Sequence, residues 1–228
     1  TKNSDDAPYE TPTADFTLNA ATTYKVFPTP EGWVTNAEEL AAALKADQKN
    51  ISVVLTADIE LPISSLGQMT GGSGEYKLGS ENTKTITIDL NGNKLTVTTN
   101  YWSALGAKND NVIFTIKNGT MTSSQATGTW NSYDLEFANC NYVIEKVVFE
   151  KAIAFTSATK HVSLKNVTIK ETHDYYAMWI SAKGQNVVID GLTVDSAGRG
   201  IKIDEQYVNE SLAHVTLKVS NATFKTAK

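Results

Sequence analysis

His173, Asp174, Tyr175, Tyr176 and Trp179 form the densest cluster of ring-bearing side chains in the sequence, and Arg199, Lys202 and Asp204 follow some twenty residues on. An aromatic ring facing solvent offers a flat apolar surface to a sugar, while Arg, Lys, Asp and His bond sugar hydroxyls. The set therefore points to carbohydrate contact, with Trp179, Tyr175, Tyr176, His173, Lys202 and Asp204 as the contacting residues. The competing role for Trp179 is to lie over the alkyl stem of Lys202, or against the 206–212 segment, and cover the surface beneath it. Trp102, Trp130 and Tyr133 make a second, sparser aromatic group.

Whether these residues meet depends on the elements that carry them. An eight-residue block recurs as "IDLNGNKL" (88–95), "FTIKNGTM" (114–121), "YVIEKVVF" (142–149), "VSLKNVTI" (162–169), "VVIDGLTV" (187–194) and "LKVSNATF" (217–224). Its first, third, sixth and eighth positions are mostly apolar. A strand that turns a corner at positions four and five would produce that phase shift. Position five reads Gly92, Asn118, Lys146, Asn166, Gly191 and Asn221. Gly and Asn tolerate the left-handed backbone of a tight corner, and stacked Asn side chains can form a ladder. A shorter strand follows most blocks: "SAL" (103–105), "LEF" (135–137), "IAF" (153–155), "MWI" (178–180) and "IKI" (201–203). Its middle residue, Ala104, Glu136, Ala154, Trp179 or Lys202, is expected to face outward.

Strands recurring every 20 to 30 residues with only turns between them indicate a solenoid. The outward charges support one register. Position four reads Lys117, Glu145, Lys165, Asp190, and the residue after the block reads Glu150, Lys170, Asp195, Lys225. Both rows alternate in sign, as stacked neighbours should. Leucine-rich repeats share the period, but they space their Asn differently and keep a stricter length. A β-sandwich would not repeat the block.

Residues 1–32 read as an extended N-terminal tether, with Phe16, Leu18, Val26 and Phe27 able to dock as extended chain, and 33–228 as one repeat domain. Thr35 with Glu38 forms a capping-box pattern before the one convincing helix, about 36–46, whose apolar face is Ala37, Leu40, Ala41 and Leu44. The Gly- and Ser-rich stretch 64–80 reads as a loop.

Twenty Lys and Arg against 25 Asp and Glu give a net charge of -5, which argues against a broad nucleic-acid surface. No apolar run reaches the roughly 20 residues of a membrane span. Cys140 is the only cysteine and is expected as a small buried residue, with no disulfide. His161, His173 and His214 share no metal spacing, and "TGGSGE" (70–75) lacks the features of a phosphate loop, so neither metal nor cofactor is expected. Asn118, Asn166, Asn209 and Asn221 match Asn-x-Ser/Thr, and three of them share the block's corner.

With "NVTI" (166–169), "DGLTV" (190–194) and "GRGIKI" (198–203) as its coil phrases, the chain resembles the right-handed parallel β-helix group, the pectate-lyase-like superfamily. The resemblance covers about residues 33–228. It implies an all-β solenoid of about seven coils with the helix as N-terminal cap. It also resembles secreted β-helix proteins of bacterial surfaces, often lipoproteins, which implies a lipid anchor upstream of Thr1. Enzymes of that group place their chemistry on one outward sheet face.

Three carboxylates converging for calcium are not visible in the outward rows. The hydrolase-type acid pair flanking a glycosidic bond cannot be nominated either, and "GRGIK" departs from the "RIK"-like motif by a Gly. The leading expectation is thus a secreted or surface-anchored module contacting polysaccharide, without demonstrable catalysis. The alternative is a polysaccharide lyase or glycoside hydrolase with Lys202 or Arg199 as base and Asp204, His173 or Glu136 assisting. A third is a structural or adhesive domain binding other proteins. The end at "TFKTAK" carries no capping element, and an open edge of stacked strands predicts an oligomer or a further segment there.

Overall fold

The computed structural model describes residues 31–67, 75–98, 104–124, 135–156, 159–171, 176–181, 186–204 and 216–226. The expected tether, apart from its last two residues, lies outside them, as do His173, Asp174, Tyr175, Trp102, Trp130, Tyr133, Asn209 and His214.

The chain opens with β1 (Trp33–Val34), α1 (Ala37–Leu44), β2 (Asn50–Leu55), β3 (Ile59–Pro62), a 3-10 turn (Ile63–Leu66), β4 (Glu75–Leu78), β5 (Thr85–Asp89) and β6 (Lys94–Thr98). It continues with β7 (Ala104–Ala107), β8 (Ile113–Ser123), β9 (Leu135–Phe137), β10 (Asn141–Phe149), β11 (Ile153–Phe155) and β12 (His161–Glu171). The last elements are β13 (Tyr176–Ser181), β14 (Asn186–Ser196), β15 (Arg199–Asp204), β16 (Thr216–Ser220) and β17 (Thr223–Thr226).

Long and short strands sort into two sheets. The larger runs β1-β2-β5-β8-β10-β12-β14-β16, with β3 on β6, β6 on β8 and β17 on β14; the smaller runs β15-β13-β11-β9-β7-β4. Neighbouring strands in both are parallel. The fold is all-β, with stacked parallel sheets, and is consistent with a solenoid.

Repeat stacks on repeat at the expected offsets. Phe114 lies opposite Tyr142, Tyr142 opposite Val162, Val162 opposite Val187 and Val187 opposite Leu217. The first block departs from this column. Ile86, not Ile88, is the partner of Phe114, and Ile88 pairs with Ile116. The cause is a larger corner. Asp89 is opposite Lys117 but Lys94 is opposite Thr120, so this repeat fits two extra residues into its turn, with Asn91 and Gly92 at φ of 51° and 82°.

The other corners take the left-handed backbone at position five: Asn118 (60°), Lys146 (53°), Asn166 (52°), Gly191 (76°) and Asn221 (52°). An Asn-on-Asn ladder does not form, because Asn alternates with Lys146 and Gly191 along the column. Instead Asn118 Nδ2 donates to Asp89 Oδ1 at 3.1 Å, and Asn221 Nδ2 to Asp190 Oδ1 at 2.7 Å. The charge rows stack as expected. Lys117 pairs Asp89 at 3.1 Å, Glu145 lies between Lys117 and Lys165, and Asp195 between Lys170 and Lys225.

Between the sheets lies one apolar core in which Phe114, Phe137, Tyr142, Phe149 and Phe155 are fully buried. The Phe137 ring centroid is 5.3 Å from Tyr142, 5.5 Å from Phe155 and 6.1 Å from Phe149. The Tyr142 hydroxyl sits 2.7 Å from Leu105 O and 2.8 Å from Ala138 O, so its polar end is satisfied. Cys140 is buried, and burial pushes its thiol up to about 12.

Helix α1 starts one residue later than expected. Asn36 is the N-cap, accepting from Glu39 N at 2.9 Å, and Glu39 Oε2 reaches back to Thr35 N at 2.7 Å and Thr35 Oγ1 at 2.9 Å. Glu39 therefore fills the place given to Glu38. Leu40, Ala41 and Leu44 are buried. The stretch read as a loop contains the 3-10 turn and β4, which adds a strand to the smaller sheet. Its Tyr76 and Leu78 alternate inward, a signal outweighed in the sequence by the flanking Gly and Ser. At the other end the inward residues Leu217 (41%), Val219 (42%) and Phe224 (47%) are exposed, and no described residue stacks over them.

Candidate functional site

The outer face of the smaller sheet carries the expected row in register: Ala104 opposite Glu136, Glu136 opposite Ala154, Ala154 opposite Trp179 and Trp179 opposite Lys202. Strand alternation fixes it. Met178 and Ile180 are fully buried in the core, which turns Trp179 to the opposite face.

Trp179 is nevertheless only 8% exposed. Its ring packs with Ala152 and Ala154 in a small cluster that Tyr176 joins. Lys202 Nζ stands 5.2 Å from the indole centroid. The expectation of an open indole platform gives way to the covering role, and the reason is local. Ala154 on the next strand is small enough for the ring to lie down on it, and the ammonium gains the ring's negative face.

Arg199 and Tyr176 make a parallel pair. They lie opposite each other at the start of β15 and β13, with the guanidinium carbon 5.3 Å from the phenol centroid and Arg199 Nη1 donating to Tyr176 Oη at 3.4 Å. Tyr176 is half-buried and Arg199 exposed. The two aromatic–cation pairs bridge the same two strands, three residues apart. Asp204 pairs through its backbone with Ser181 on the same strands, and its side chain lies outside the description.

Glu136 is not part of this cluster. Three strand spacings of about 4.8 Å separate it from Lys202, roughly 14 Å. It lies between Ala104 and Ala154, and burial pushes its carboxyl up to about 7. Such a group can hold or release a proton near neutral pH. The lyase or hydrolase set drawn from the sequence is thus split: Lys202 and Arg199 stand together, and Glu136 stands apart. Among the described residues no group of three His, Cys, Asp or Glu could hold a metal.

A concavity elsewhere was not foreseen. A pocket of about 510 Å³ at the β4 end of the smaller sheet is lined by Lys45, Lys77, Lys108 and Glu81, with Gly67 and Gly79. Three separate segments supply its charges, and Lys77 lies in the stretch read as loop, so no local motif marks it. No family model matches the chain, and no curated protein and no solved structure is significantly similar to it.

Proposed function

We propose that the chain is a right-handed parallel β-helix of about seven coils, closed at its first end by α1, and acts as a secreted or surface-anchored module contacting polysaccharide. The observation that carries this reading is the doubled aromatic–cation arrangement, Tyr176 with Arg199 and Trp179 with Lys202, fixed across two strands. Trp179 serves as floor rather than platform. The half-buried phenol of Tyr176 supplies the apolar contact, and the Arg199 guanidinium and Lys202 ammonium donate to sugar hydroxyls. Rigid strands hold these groups at little entropic cost on binding. A glycan array on wild type, Arg199→Ala and Tyr176→Ala tests this. Binding weakened about tenfold or more by either substitution supports it; binding unchanged in both, or absent in wild type, rejects it.

Glu136 favours a second reading, a polysaccharide lyase or glycoside hydrolase using this near-neutral carboxyl as proton donor or acceptor. A reducing-sugar and unsaturated-product assay with Glu136→Gln decides it. Product release abolished by that substitution would replace the binding-module reading.

A further inference from the structure

We infer that the end of the stack formed by β15, β16 and β17 is a docking site for a β-strand of another protein, taken up in parallel as one more layer. The strand it fits turns apolar residues inward, bends on Gly or Asn, and carries a carboxylate after the bend. The inference stands apart from the glycan reading and draws on none of the residues that carry it.

Residues in core positions are uncovered at this end. Ile203 lies opposite Ile180, Leu217 opposite Val187, Val219 opposite Ile189 and Phe224 opposite Val194. The second member of every pair is fully buried, and the first is exposed. Among the described residues β15 ends the smaller sheet, and β16 and β17 end the larger one. The two sheets meet here, since a Cβ on Gly200 of β15 would stand 3.2 Å from the Phe224 ring. An apolar face bordered by the edge of a parallel sheet suits one kind of ligand, another strand. Its backbone extends the ladder, and its alternate side chains continue the apolar columns.

The columns specify that strand. Val162, Val187 and Leu217 stack in one apolar column and Ile169, Val194 and Phe224 in another, so the residues laid over Leu217 and Phe224 are apolar, as is the one over Val219. Between them the strand bends where Asn221 does, at a φ of 52°, which Gly and Asn reach with least strain. Charge sets the residue after the bend. Lys170 lies opposite Asp195 and Asp195 opposite Lys225, so a strand that continues the row places a carboxylate over Lys225. A second copy of this chain fits worse. A two-fold axis that keeps both apolar faces inward opposes the strands antiparallel. The ionisable residues of β16 and β17 are Lys218 and Lys225, so those strands would meet a copy of like charge.

The probe is a peptide with the sequence of residues 186–196, NVVIDGLTVDS, which in the fold already lies beneath β16 and β17 in the required parallel register. Its Val187, Ile189, Gly191, Val194 and Asp195 meet each requirement in turn. Titrated into the full chain and followed by backbone amide shifts, it should bind saturably and move residues 216–226. A peptide of the same composition in reversed order should bind at least about tenfold more weakly. The peptide carrying Asp195→Lys should bind about fivefold more weakly, and Lys225→Glu in the chain should invert that preference. The peptide variants leave the chain untouched, so no loss of folding can imitate their effect. Absence of saturable binding, equal affinity for the reversed or the lysine peptide, or shifts centred on β12, as if the peptide had replaced β14, would each overturn the proposal. So would concentration-dependent shifts of 216–226 in the chain alone, which would place a second copy on this end.

Discussion

Asn118 donates its side-chain amide to Asp89 on the preceding repeat, 3.1 Å away, and Asn221 does the same to Asp190 at 2.7 Å. In both places one Asn performs two tasks. Its backbone turns the corner in the left-handed region, and its amide ties that corner to a carboxylate one repeat back.

Substitution separates the tasks. Asn118→Gly keeps the backbone and loses the amide, and should cost about 1 kcal/mol. Asn118→Ala adds a left-handed penalty of about another 1 kcal/mol. Urea denaturation of the two variants checks the difference. Equal loss in both would mean that the corner carries no backbone strain. The bond also has a pH signature. Burial alone would raise Asp89, but the Asn118 amide, the Lys117 ammonium and the Asn91 N–H outweigh it and hold it below its ordinary 3.8. The resulting stability is present above that value and is lost as pH falls through the lower folded value, so Asn118→Gly should flatten the acid limb of the stability curve.

Lys146 is the one left-handed corner residue in the block column that is neither Gly nor Asn. It is exposed. Lys146→Gly should therefore stabilise by about 0.5–1 kcal/mol, visible as a higher melting temperature. A lower one would show that the lysine side chain holds its corner in some other way.

Gly119 lies under the enlarged corner of the preceding repeat. A Cβ there would stand 2.5 Å from Leu90 Cβ and 2.6 Å from Asn93 O, and one of these is backbone. Gly119→Ala should cost about 1–3 kcal/mol. A neutral result would contradict the two-residue insertion at 90–93.

Glu136 gives the opposite pH dependence to Asp89. Its folded value of about 7 lies above its ordinary 4.5, so between these the folded chain keeps a proton that the unfolded chain has lost. Stability should fall as pH rises through that window and level off above it. Glu136→Gln should remove the slope, leaving the variant more stable than wild type at pH 8 by up to about 3 kcal/mol and equal to it at pH 4. Parallel stability curves for the two proteins would place the carboxyl in water.

The repeats were legible because inward apolar residues and outward charges obey one alignment from Phe114 to Leu217. That alignment needed no knowledge of the turns. It misplaced Ile88 because two residues added inside a corner leave the strand pattern intact on either side, and only pairing reveals the slip. Trp179 was placed on the correct face beside the correct neighbour, Lys202. Its burial was not readable, since that depends on Ala154, a strand away, being small. The lysine pocket left no trace because Lys45, Lys77 and Lys108 belong to different elements.

Everything proposed for the smaller sheet depends on repeats that stack in parallel and in register, and paired cysteines across β12 and β14 of the larger sheet test that stacking most directly. Ser163 lies opposite Val188 and Thr168 opposite Thr193, all partly exposed, while the buried Cys140 thiol, pushed up to about 12, stays out of the reaction. The Ser163→Cys/Val188→Cys and Thr168→Cys/Thr193→Cys variants should both form disulfides readily under mild oxidation, since directly opposed strands bring Cα atoms within bridging range. Bridging instead in Ser163→Cys/Thr193→Cys and Thr168→Cys/Val188→Cys, the pairs an antiparallel arrangement would oppose, would contradict the fold and the sites placed on it.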